Sequence, residues 1–161
     1  MSERDFMPYQ CEGERIAFPV TAGQTFLAGE PVALAAGGTL SEAGDDPSTI
    51  TGIACHRTPT NLTGGSAGVG SRVTVYRISK DQVYKTKNFA TDGLGTAVVP
   101  ALTNIGDQAG LTLATGVWSL DTGTGNILAE ITGVRDIDGR DLADPNVLPG
   151  AGLWVLFRFI I

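Results

Sequence analysis

Residues 19–55 read Pro19-Val-Thr-Ala-Gly-Gln-Thr-Phe-Leu-Ala-Gly-Glu-Pro-Val-Ala-Leu-Ala-Ala-Gly-Gly-Thr-Leu-Ser-Glu-Ala-Gly-Asp-Asp-Pro-Ser-Thr-Ile-Thr-Gly-Ile-Ala-Cys55, and this stretch decides the fold. Four turn signals punctuate it: Ala22-Gly23, Ala28-Gly29-Glu30-Pro31, Gly37-Gly38 and Gly44-Asp45-Asp46-Pro47. Each is followed by a short run of β-favouring residues: Thr25–Leu27, Val32–Leu34, Thr39–Ser41 and Thr49–Ala54. No run is long enough for a helix, and no apolar residues recur at helical spacing across the breaks. The expectation is an all-β chain, a small antiparallel β-barrel of short strands with long loops.

Composition agrees. Charged residues make up only 17% of the chain and hydrophobic ones 42%, a balance that excludes a disordered segment and fits a packed β domain. At 161 residues one domain can bury a core without disulfides or metals. The net charge of −6 argues against nucleic acid, whose phosphates such a surface repels. The longest apolar run, Gly152–Phe157, is far short of the ~18 residues a membrane helix needs, so no membrane partner is expected. The opening Met1-Ser2-Glu3-Arg4-Asp5 carries mixed charge and leads into no apolar run, unlike a signal peptide. Cys11 and Cys55 are read as free thiols of a reducing cytoplasm, although spacing alone does not decide whether they meet.

The remaining chain divides by the same signals. Residues 1–14 form a polar N-terminal arm without helical or strand period, in which Phe6, Met7 and Tyr9 are isolated apolar points; the arm either docks elsewhere or frays. Residues 15–161 form the single barrel domain. Thr58–Ser71, rich in glycine, is a long loop. In Arg72–Ile78, Val73 and Val75 share one face and Thr74, Tyr76 and Ile78 the other. Asp81–Ala90 is the one basic segment, with Lys80, Lys85 and Lys87, and reads as an edge strand protected by lysine. Ala97–Pro100, Leu111–Ala114 and Gly116–Leu120 are strand candidates, and the turn Thr122–Asn126 joins the last of these to a partner, Ile127–Val134.

The chain ends in Leu153–Ile161, apolar on both faces. Leu153, Val155, Phe157 and Phe159 share one face; Trp154, Leu156, Arg158 and Ile160 share the other. A barrel interior takes only one face. The second is therefore expected to be covered by a loop of the same chain or by a neighbouring subunit; the 58–71 loop is too glycine-rich for a broad apolar lid, which favours a subunit interface in which Arg158 pairs with an acid of the neighbour.

Chemistry finds little footing. His56 stands alone without a nucleophile in a recognised arrangement, so no catalytic residues are expected. Asp136-Ile-Asp-Gly-Arg-Asp141 lacks the spacing and closing glutamate of a calcium loop and reads as a solvated acidic loop. Gly64–Gly70 lacks the Lys-Ser/Thr of a phosphate cradle. No clustered His or Cys ligands suggest a metal, and no cofactor is expected. Trp118 and Trp154 read as core residues rather than as a sugar-stacking platform.

The phrases Ala28-Gly29-Glu30-Pro31-Val32-Ala33-Leu34, Gly37-Gly38 and Thr51-Gly52-Ile53-Ala54 resemble the small capsid decoration (cement) proteins of tailed bacteriophages, with a looser echo at Ala129–Val134. The resemblance spans about a quarter of the chain, and Thr60–Ile105 has no counterpart in it. It implies a β-tulip-like barrel and a non-enzymatic virion protein, made in the host cytoplasm and placed on the capsid exterior. Its partner would be the major capsid protein, reached by Phe6, Met7 and Tyr9 of the arm. It also implies a homotrimer, for which Trp154, Leu156, Arg158 and Ile160 are the expected subunit contacts. A carbohydrate- or receptor-binding β module of a virion is the alternative.

Overall fold

The computed structural model describes residues 5–9, 13–55, 71–136 and 153–161. The strands are β1 (Met7–Pro8), β2 (Arg15–Pro19), β3 (Pro31–Leu34), β4 (Leu40–Glu42), β5 (Gly52–Ala54), β6 (Arg72–Arg77), β7 (Val83–Thr86), β8 (Phe89–Ala90), β9 (Gln108–Ala114), β10 (Val117–Asp121), β11 (Ala129–Arg135) and β12 (Trp154–Phe159). A single turn of 3-10 helix occupies Leu102–Asn104. The fold is all-β. It comprises a seven-stranded sheet of order β1-β7-β12-β11-β9-β10-β8 and a five-stranded sheet of order β2-β6-β5-β3-β4. Pairing is antiparallel except between β10 and β8, which run parallel.

The opening stretch supplies β3, β4 and β5. The β3–β4 hairpin closes where Gly38 takes φ 75°, a conformation glycine adopts without a Cβ penalty. Thr25–Leu27 forms no strand; Phe26 instead turns inward and is buried. The five-stranded sheet buries both faces, as the mixed pattern of Arg72–Ile78 requires. Val73 and Val75 pack with Val20, Phe26, Val32, Leu40 and Ala54 on one side. Tyr76 and Ile53 face the larger sheet on the other. A bridge between Val20 and Leu40, with the Thr21 amide donating to the Leu40 carbonyl at 2.8 Å, brings the two edges of this sheet together. Among the described residues no strand pairing joins the two sheets to each other.

In the larger sheet the C-terminal strand behaves as its alternation dictates: Leu153, Val155, Phe157 and Phe159 all lie in the core. Phe157 and Phe159 meet edge to face at 5.4 Å, and Tyr84 stacks on Phe157 at 5.8 Å. A bulge at Thr132 shifts the register of β11, so that Ile131 and Val134, not Gly133, point inward.

Two expected pairings are corrected. Gly116–Leu120 does not pair with Ile127–Val134, because β9 lies between β10 and β11. The tighter closure wins: Thr115 and Gly116 both take positive φ (50° and 78°), making the two-residue turn that matches strand twist and welds β9 to β10. Of the basic segment 81–90, the lysine-bearing β7 is not an edge, since it sits between β1 and β12, whereas β8 ends the seven-stranded sheet. The lysines serve a neighbour instead, as Lys85 and Lys87 place their ammonium groups 4.5 and 4.7 Å from the centre of the Trp154 ring.

Candidate interaction surface

Between β8 and β9 the chain runs fourteen residues, Gly93–Gly106, without a charge, in a protein of net charge −6. Five of them carry large apolar side chains that face solvent: Leu94, Val98, Val99, Leu102 and Ile105, with Leu94 73% exposed and Val99 64%. The segment lies over the polar face of β9 and β10, whose Thr112, Ser119 and Asp121 are buried although they point away from the core. Covering a polar face explains the orientation. The backbone of the segment satisfies the sheet below, and its apolar side chains are left outside.

The segment is fastened rather than loose. The Asp121 carboxylate, fully buried, accepts from the amides of Gly93 (3.1 Å), Gly95 (3.1 Å) and Gly123 (2.8 Å) and from the Thr112 hydroxyl (3.1 Å). Four donors around one carboxylate compensate its desolvation and tie two loops to β10. Asp92 accepts from the amides of Leu94 and Thr96; the Thr96 side chain first, and then these amides, hold its carboxyl below the usual aspartate value. Further along, the Val98 amide donates to the Phe89 carbonyl, and the Asn104 side chain reaches back to the amide of Ala101. The Gly106 amide ends the segment on Ile131 of β11. On the far side Gly110 has no room for a Cβ against the Asn126 carbonyl, so the 122–126 turn presses directly onto β9.

A second cluster lies where the N-terminal segment meets both sheets. Asp5 accepts from the Trp118 amide (3.2 Å) and from Asn88 Nδ2 (3.1 Å), and Glu42 accepts from Trp118 Nε1 (3.2 Å). Glu30, nearly buried, accepts from the Leu27 amide at 2.7 Å. Burial pushes its carboxyl up to about 7, against the Leu27 hydrogen bond, and the charges of Glu42 and Asp5 add to the rise. Burial likewise raises Asp5, opposed by the Trp118 amide and Asn88. In the core, the Tyr84 hydroxyl is buried without a hydrogen-bond partner among the described residues, and burial raises its phenol.

The expected site residues fall as follows. Phe6 is not an exposed contact: it is 1% exposed, its ring meets Phe157 edge to face at 5.6 Å, and its amide donates to the Gly29 carbonyl. The described part of the arm is therefore docked, not free. Its apolar points gain more by filling the core than by waiting for a partner. Met7 and Tyr9 are half-buried beside β7, with the Tyr9 amide on the Val83 carbonyl at 2.8 Å. On β12, Leu156 is 4% exposed within the single chain and lies against Gly133, the space the bulge provides. Arg158 needs no acid from a neighbour. It is exposed and pairs with Glu130, its cross-strand partner, at 2.9 Å. Trp154 and Ile160 remain half-buried. The cover inferred for this face is thus largely supplied within the chain, and these four residues do not form an open apolar patch.

Trp118 is a core residue, as expected. Cys11, His56, the 56–70 part of the glycine-rich loop and the acidic residues beyond Asp136 lie outside the described residues. Cys55 is half-buried. Among the described residues no group of three or more His, Cys, Asp or Glu side chains is placed to hold a metal ion, and no helix is long and apolar enough to cross a membrane. The signal for the apolar segment was present in the sequence as its unbroken lack of charge; reading it strand by strand concealed it. No family model, curated protein or solved structure matches this chain.

Proposed function

We propose that this protein is a non-enzymatic capsid decoration protein of a tailed bacteriophage, which binds the outer surface of the assembled head and stabilises it. One observation carries the docking part of this reading: a charge-free segment, Gly93–Gly106, holds five large apolar side chains in solvent on a backbone pinned by Asp92, Asn104 and Asp121. Apolar side chains held out in this way lose little conformational entropy when another protein covers them. The decoration part rests on the resemblance of the 28–54 phrases. Those phrases make two neighbouring strands of the five-stranded sheet, β3 and β5, and the turn of the β3–β4 hairpin. We read that sheet, with its edges drawn together at Val20 and Leu40, as the small barrel the resemblance implies.

In this reading the major capsid protein is the partner and the Gly93–Gly106 segment is the principal contact; Met7 and Tyr9 contribute at the side, and Phe6 does not. A protein that binds only the assembled lattice adds its binding free energy to the shell at each occupied site. The homotrimer stays part of the proposal, but Leu156 and Arg158 are not its seam. The glycan-binding alternative has less support, because Trp118 is buried and the Trp154 ring lies under two lysines. Electron microscopy of undecorated heads mixed with the purified protein tests the proposal. Regular added density on the shell is expected; heads indistinguishable from untreated ones overturn it.

A further inference from the structure

Charge is divided unevenly over the seven-stranded sheet. Residues 88–134, which carry β8, β9, β10, the exposed segment and most of β11, contain no lysine, arginine or histidine. Among the described residues the cations of this sheet lie in its other half: Lys85 on β7, Lys87 just beyond it, Arg158 on β12 and Arg135 at the end of β11. The cation-free stretch holds four acids, and two of them are engaged within the fold: Asp121 is buried under its donors, and Glu130 holds Arg158 at 2.9 Å. The other two, Asp92 and Asp107, are exposed and stand immediately before and after Gly93–Gly106. The segment fixes each of them. Asp92 accepts from the Leu94 and Thr96 amides, and Asp107 accepts from Asn104 Nδ2 at 3.1 Å. Among the described residues neither is in an ion pair. The five exposed apolar side chains therefore have an anion at each end, and their own stretch has no cation to answer it.

Resting on the docking reading above, we propose that the surface receiving Gly93–Gly106 is an apolar groove of the capsid protein rimmed by lysine or arginine, which pair with Asp92 and Asp107. Interfaces of this kind have an apolar centre and a polar rim. Covering Leu94 and Ile105 draws the adjacent carboxylates out of water, and a neutral or acidic rim leaves that desolvation uncompensated. A basic rim compensates it and also attracts the protein from a distance. The same rim repels the half of the sheet that carries Lys85, Lys87 and Arg135, so the encounter is oriented as well as accelerated. Nucleic acid and anionic membranes are repelled by the two carboxylates that favour this partner.

Association of the full chain with immobilised undecorated heads, followed by biolayer interferometry, tests the rim. The wild-type association rate is expected to fall roughly tenfold between about 30 and 300 mM salt, as screening shortens the reach of the charges. The double variant Asp92→Ser, Asp107→Asn keeps an oxygen at both positions for the hydrogen bonds that fasten the segment. At low salt it should associate about three- to tenfold more slowly, dissociate within about twofold of wild type, and converge with wild type at high salt. Asp107→Asn alone should show a smaller change in the same direction. A control, Glu14→Gln with Asp81→Asn, removes two exposed charges beside β6 and β7 and should alter association less than about twofold. Heads that bind wild type at a rate indifferent to salt and to the double variant, or faster once the charges are gone, overturn the basic rim and leave the docking reading standing. Equal slowing by the control overturns it too, since net charge then does the steering. Wild type that binds heads at no salt concentration removes the docking reading, and the rim with it.

Discussion

Replacing Phe6 with alanine asks whether the N-terminal segment belongs to the fold. The ring is 1% exposed, meets Phe157 at 5.6 Å, and completes an aromatic cluster with Tyr84 and Phe159. Truncating a buried phenylalanine costs about 3–5 kcal/mol, from lost transfer energy and the cavity left behind. An edge-to-face pair contributes roughly 0.5–1.5 kcal/mol of that. Against a typical stability of about 5–15 kcal/mol this is a large fraction. Urea unfolding at a fixed pH is the assay. The midpoint should fall with an unchanged slope, since the surface exposed on unfolding is nearly the same. A loss below about 1 kcal/mol would show that residues 5–9 are a detachable arm, and the core assignment of Phe6 would be refuted.

Two further substitutions probe the fastening of the surface and the nature of the β12 face. Asp121→Asn removes charge-assisted acceptance from three amides and a hydroxyl; a loss of about 2–4 kcal/mol is expected, with exchange protection falling first at Gly93 and Gly95. Arg158→Ala breaks a cross-strand pair that is half in water, so its cost in denaturant melts should stay under about 1 kcal/mol and its mass in solution should not change.

The parts of this fold that were legible in the sequence are those governed by local chemistry. Alternation placed Leu153, Val155, Phe157 and Phe159 in the core, and put Val73 and Val75 opposite Tyr76. Turn residues marked the β3–β4 hairpin. What escaped depended on competition between distant segments. Thr122–Asn126 looks like a hairpin turn, yet Thr115-Gly116 makes the tighter one, and Asp121 holds the 122–126 turn to a different task. Lys85 and Lys87 looked like edge protection because the indole they stack on lies some seventy residues away in sequence. Leu156 looked uncovered because one bulge at Thr132, invisible to a period of two, sets Gly133 beneath it. Phe6 looked like a free contact because nothing local shows that the core has a vacancy for it.

The central claim is that the exposed apolar side chains of Gly93–Gly106 dock on the assembled shell. Its most direct test is the affinity of the Leu94→Lys, Val99→Lys double variant for undecorated heads, measured by co-sedimentation beside wild type. Both positions face solvent, so thermal stability should be preserved. Burying a leucine or valine contributes about 1.5–3 kcal/mol, and each 1.4 kcal/mol is tenfold in affinity, so binding should weaken by roughly a hundredfold or more. Wild-type affinity in a correctly folded double variant would contradict the account.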